Sequence, residues 1–230
     1  MRKRLSTLLF ALISLCAGAQ EIKSIKASFD DYLSLLQEAG YNVFVYDVSS
    51  LKEKASHVEF IVKEYVNGNL VDSGNSHSSA FKLIFKISEF SEEEQKEIKA
   101  MGIADDEEND IFRLATRLKI GFTPVIGDTI QNVLFEVAGK ELLGGSGKWL
   151  KLHDSRVDKS HRKLDYSTRP FKVEGFEKDK FIPLVLYAAP WWDKNYEIYR
   201  FCGETEIPSD MNSDILRHSP HYFIIGVEFR

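Results

Sequence analysis

The residues best suited to recognition chemistry lie in one short stretch, 187–199, YAAPWWDKNYEIY. Pro190, Trp191, Trp192, Tyr196 and Tyr199 cluster just past the most apolar run of the chain, and Tyr187 stands at its end. Exposed Trp and Tyr rings stack on sugars or anchor a partner's apolar patch. Trp191, Trp192, Tyr196 and Tyr187 are therefore the candidate ligand contacts. The competing expectation is that the same rings close one end of a core.

No catalytic residue and no cofactor is expected. Gly144-Gly145-Ser146-Gly147-Lys148 has the look of the end of a phosphate-binding loop. Leu142, however, stands where the first glycine of G-x-x-x-x-G-K belongs, and Trp149 where the Ser or Thr belongs. A glycine at 148 would be needed for G-x-S-x-G. A tight turn is expected at 144–147 instead. The six histidines are His57, His77, His153, His161, His218 and His221. His218 and His221 are three apart, but Pro220 between them disfavours a shared helical face, so no metal site is expected. The acidic run 105–110, DDEEND, lacks calcium-loop spacing and is expected to be a solvated loop. An enzyme would have to draw on the polar region 151–170, where His153, Asp154, His161 and Asp165 lie. No elbow or oxyanion loop marks a serine there.

The elements that must position these residues are mostly strands. Residues 24–39 carry apolar side chains at three- and four-residue steps and predict a helix ending at Gly40. A second helix is expected from Ser91, which has capping-box spacing to Glu94. Elsewhere the period is two. Strands are expected at 43–48, 57–66, 80–87, 111–122, 133–137, 181–189, 196–201 and 222–229. Asn67-Gly68 predicts a tight hairpin. The run 181–189 is nearly all apolar, as in a strand covered on both faces. Hairpin-like succession predicts a mainly β fold: an antiparallel β-sandwich with an N-terminal helix and one further short helix. A single large sheet with helices on one face is the runner-up.

The first nineteen residues have the parts of a signal peptide: Arg2-Lys3-Arg4, an apolar run from Leu8 to Leu15, and Ala17-Gly18-Ala19. The apolar run is too short to span a bilayer. One domain is expected over 20–230, with no transmembrane segment. Removal of the leader would take the formal net charge from -5 to -8. Such a balance disfavours nucleic acid and anionic lipid surfaces. Cys202 would then be the lone cysteine, expected as a small buried hydrophobe. Cys16 leaves lipid anchoring open as the alternative.

The leader end, Cys16-Ala17-Gly18-Ala19-Gln20, resembles those of many small exported proteins of Bacteroidetes-type bacteria. The resemblance covers the leader and the β-rich character and carries over no functional residue. The expectation is an exported, periplasmic or extracellular, non-catalytic protein that binds a glycan or a cell-envelope protein. A hydrolase of envelope or dietary polymers is the alternative.

Overall fold

The computed structural model of the protein describes residues 28–51, 54–73, 81–82, 84–101, 104, 106–114, 116–139, 142–154 and 166–230. The expected leader, the start of the expected first helix at 24–27, His77, His161 and Asp165 lie outside those residues. The chain divides into two units, Met1–Leu35 and Leu36–Arg230. In the first, the described residues open helix α1 (Phe29–Glu38). The end of α1 belongs to the second unit. There Gly40, at φ 91°, donates to the Gln37 carbonyl, and the Tyr41 N–H reaches the Leu36 carbonyl. This pair of bonds is a Schellman cap, for which a left-handed glycine is the natural residue.

The strands of the second unit, in chain order, begin with β1 (Asn42–Asp47), β2 (His57–Val66), β3 (Asn69–Asp72), β4 (Phe81–Lys82) and β5 (Ile84–Lys86). They continue with β6 (Ile111–Leu114), β7 (Arg117–Phe122), β8 (Ile130–Ala138), β9 (Leu142–Lys151) and β10 (Ser167–Pro170). The last four are β11 (Ile182–Ala188), β12 (Trp191–Asp193), β13 (Ile198–Arg200) and β14 (His221–Phe229). Helices α2 (Glu92–Ala100) and α3 (Asp214–His218) interrupt them. The pairings between named strands are antiparallel.

Two sheets form an antiparallel β-sandwich. One has the order β1-β7-β8-β9; the other runs β10-β11-β14-β2-β3, with β4 also on β2. Alternation dictates the seam between them. Leu118, Ile120, Val133 and Phe135 of the first sheet meet Val58, Phe60, Ile225 and Val227 of the second in one buried cluster. Phe60 and Phe135 stack across it with ring centroids 4.9 Å apart. β11 lies between β10 and β14 and is buried on both faces, because a second apolar cluster covers its far side. Leu186, Ala188, Tyr222 and Ile224 there meet Ile207 and Ile215.

Local signals behave as their chemistry requires. Asn67 and Gly68 take φ values of 49° and 76° in the β2–β3 hairpin. The Ser91 side chain and the Glu94 carboxylate cap each other's backbone at α2. Three expectations need correction. The run 111–122 is two strands, since β6 pairs β5 while β7 joins the first sheet. Phe112 therefore packs with Ile87 and Ile98 in a separate small cluster, not in the main core. Residues 144–147 are no turn, because they lie within β9 and pair with β8. Glycine suits Gly147 because a Cβ there would lie 3.3 Å from Asn132 Oδ1 and 3.4 Å from Leu134 Cδ2. Cys202 is exposed and accepts a bond from Arg200 Nε at 3.1 Å. Phe201 beside it packs on the second apolar cluster, while Cys202 itself faces solvent.

Candidate functional site

β14 carries His221, Phe223, Ile225, Val227 and Phe229 at alternate positions, so all five face the other sheet. His221 and Phe229 are then ~27 Å apart along the strand. They mark two chemically opposite ends of the sandwich.

The His221 end is polar. Ser219 fixes the entry to β14, its hydroxyl meeting the Ala189 carbonyl at 2.8 Å and the His221 carbonyl at 3.0 Å. Glu64 continues the inward row Val58, Phe60, Val62 of β2 and pairs in register with Phe223. That register sets Glu64 diagonal to His221, and Nε2 of His221 lies 2.9 Å from Glu64 Oε1. On the other side of the ring, Nδ1 meets the Tyr166 hydroxyl. Tyr166 stands one residue before β10 and also receives the His153 N–H at 3.2 Å. The His153 ring stacks on the His221 ring at 4.0 Å and 11°, and its Nε2 is 3.8 Å from Glu64 Oε1.

Burial orders the protons of this group. His221 is 1% exposed, while the His153 side chain is 45% exposed. Desolvation holds the His221 imidazole below its ordinary pKa, and His153 adds to this; the Glu64 hydrogen bond opposes it. Burial pushes the Tyr166 phenol well up, with Glu64 and Asp154 pushing the same way and a backbone bond at His153 opposing. Tyr166 thus keeps its proton and donates to Nδ1, and Nε2–H donates to Glu64. Beneath them the Tyr187 hydroxyl donates to Gln131 Oε1 at 3.0 Å. The Gln131 amide in turn donates to the carbonyls of Thr123 and Asn132 at 2.7 and 2.8 Å. The layer is satisfied group by group, as a buried polar network must be. Glu64, His153 and His221 are also the residues here able to hold a metal ion, their donor atoms all lying within 4.8 Å of one another.

The Phe229 end is apolar. A cleft of about 400 Å³ opens there, with Leu118 of one sheet and Leu184, Val227 and Phe229 of the other in its wall. Phe176 leans on Phe229 edge-on at 5.5 Å. Asp47, Ser50 and Lys54 are the polar residues of the lining. The Tyr46 hydroxyl, also in the lining, is committed to the Leu184 carbonyl at 2.7 Å.

The expected contacts fall in different places. Trp191 and Trp192 are both half-buried on the β12–β13 hairpin. Trp191 packs on the second apolar cluster and stacks on His218 at 5.4 Å. Trp192 meets Tyr199 edge-on at 5.0 Å. Tyr196 is 67% exposed, with the Arg200 guanidinium 5.4 Å from its ring centre. Tyr187 does not join them. It points into the main core from the opposite face of β11, because it is one strand position out of phase with Leu186 and Ala188. His218 and His221 face different surroundings, as the intervening proline requires. Glu64 was not singled out from the sequence, although alternation places a carboxylate at an inward position of β2. His221 at the inward phase of the last strand was the companion signal.

The fold and these ends define an antiparallel β-sandwich with a polar buried network at one end of its core and an apolar cleft at the other. The chain belongs to the family described as Domain of unknown function (DUF5041), whose model matches residues 11–230. No curated protein and no solved structure matches it. Among the described residues no helix is long and apolar enough to cross a membrane.

Proposed function

We propose that the protein is an exported, non-catalytic binding protein whose ligand is an amphipathic molecule of the cell envelope, held by its apolar tail in the cleft at the Phe229 end. The observation that carries this reading is the cleft itself: about 400 Å³, open to solvent, with apolar side chains of both sheets in its wall. That volume lies within the range of small-molecule sites, which are mostly apolar with a few polar groups for orientation. Leu118, Leu184 and Phe229 would cover a tail, and Asp47, Ser50 and Lys54 would meet a polar head.

The test is titration of the full protein with a fluorescent fatty acid, followed by displacement with unlabelled acyl lipids. Saturable binding near one equivalent is expected, and Val173→Trp, which fills the cleft from its rim, should weaken it at least about tenfold. Binding that is unsaturable, or indifferent to Val173→Trp, rules the cleft out.

A glycan contact is the second reading, favoured by the exposed Tyr196 ring beside Arg200. A polysaccharide panel with Tyr196→Ala distinguishes it. Loss of glycan binding in that variant, with lipid binding intact, moves the contact surface to the hairpin.

A further inference from the structure

The polar end supports an assignment independent of the cleft. We infer that Glu64, His153 and His221 form a binding site for one divalent transition-metal ion, with zinc as the best fit.

Two imidazoles and one carboxylate make a three-ligand zinc set that leaves a fourth position open. They converge from three separate parts of the chain: β2, the segment just past the end of β9, and the start of β14. Their donor atoms already lie within 4.8 Å of one another. The closest pair, His221 Nε2 and Glu64 Oε1 at 2.9 Å, would have to open only a few tenths of an ångström to share a metal.

Binding needs His221 Nε2 as a lone pair, so its ring proton must sit on Nδ1. The Tyr166 hydroxyl can then accept from Nδ1–H and turn its own proton to the His153 carbonyl, 3.3 Å away. Tyr166 becomes a second partner that orients the ligand ring, the usual companion of a metal-bound histidine. His221 is neutral in both states, so the step is a change of tautomer: the Nε2 proton passes to solvent, solvent returns one to Nδ1, and no net proton is released.

One rearrangement is required. Stacked rings 4.0 Å apart and nearly parallel place no ion in both ring planes. His153 has to turn out of the stack. It is the member free to do so, being the exposed one and lying past the end of β9 rather than within a strand. His221, buried and bonded at both nitrogens, stays as the fixed ligand. The exposure of His153 places the open position toward solvent.

The experiment uses the full chain, stripped with a chelator and titrated with zinc by calorimetry and with cobalt by visible absorption. About one equivalent of zinc is expected, with a cobalt d–d band typical of a four-coordinate site. His153→Ala should weaken zinc at least about tenfold, and Tyr166→Phe by a comparable factor. His218→Ala, at the α3 end, should bind as the parent does. Nitrogen-labelled histidine spectra of the unmutated protein give a reading that needs no variant: zinc should shift His153 and His221 and leave His218 in place. No uptake, or uptake that neither moves the His153 and His221 signals nor responds to His153→Ala, overturns the assignment.

Discussion

Glu64 and His221 are 157 residues apart in the chain and 2.9 Å apart across two paired strands. The bond exists because β2 and β14 pair with Glu64 opposite Phe223, which sets the carboxylate diagonal to the imidazole. In the metal-free protein the carboxylate is the acceptor for a buried ring N–H. Glu64→Ala strands that donor and should cost about 1–3 kcal/mol. Glu64→Gln keeps an acceptor oxygen and should cost less than half as much. Urea denaturation of the two variants checks the pair; equal losses would sink the proton placement at His221.

Among the described residues the buried Ser146 hydroxyl has no hydrogen-bond partner. An unpaired buried hydroxyl costs free energy that a methyl group does not. Ser146→Ala should therefore raise stability, by about 1 kcal/mol. Thermal melts compare the two proteins, and a lower midpoint for the variant would show that the hydroxyl has a partner in solution.

Gly226 lies in β14 where Pro183 stands opposite and the β11 register shifts. A Cβ there would collide with the Ile182 carbonyl and lie 2.7 Å from the Phe181 ring. The carbonyl is backbone and cannot swing aside, so the strands must part. Gly226→Ala should destabilise by about 1–3 kcal/mol, the usual range for overpacking. A melting point within a degree of the parent's would mean that the two strands yield at no cost.

Burial raises the phenols of Tyr46, Tyr166, Tyr187 and Tyr222, the last to about 12. Their folded values lie above the ordinary unfolded value near 10. The fold thus favours the protonated form: this stability is whole below pH ~10 and is lost as pH rises above it. Phenolate absorbance during an alkaline titration should show these four appearing together with loss of near-ultraviolet circular dichroism. Smooth titration of all tyrosines with the fold intact would contradict their burial.

Trp191 and Tyr196 should separate core closure from surface contact. Trp191 packs on the second apolar cluster, and Trp191→Ala should cost about 2–4 kcal/mol, less than a fully buried tryptophan. Tyr196→Ala should stay within about 0.5 kcal/mol of the parent. Guanidinium unfolding of both variants decides, and a near-neutral Trp191→Ala would return that ring to the candidate contact surface.

Alternation was enough to read most strands. β2, β11 and β14 fall where period-two patterns and one unbroken apolar run place them, because side chains must alternate between core and solvent. The Ser91–Glu94 cap and the Asn67-Gly68 turn were legible for the same local reason: each is satisfied within a few residues. Where a stretch changes partner, pattern failed. Residues 111–122 keep one alternation through two strands, since burial in the small cluster and in the main core look alike along the chain. The glycines of β9 read as a turn because composition does not reveal that neighbouring side chains lie over them.

The sequence by itself determined the kinds of element, their inward faces and the choice of an antiparallel sandwich. Those follow from periodicity and from the conformations that glycine, asparagine and capping residues allow. Only the tertiary structure decided which ends of the strands meet. It brought Glu64, His153, Tyr166 and His221 together, left a cleft beside Phe229, and turned Tyr187 away from Trp191. Register and strand order are set by how two whole sheets fit. A contact between residues 157 positions apart therefore has no local signature along the chain.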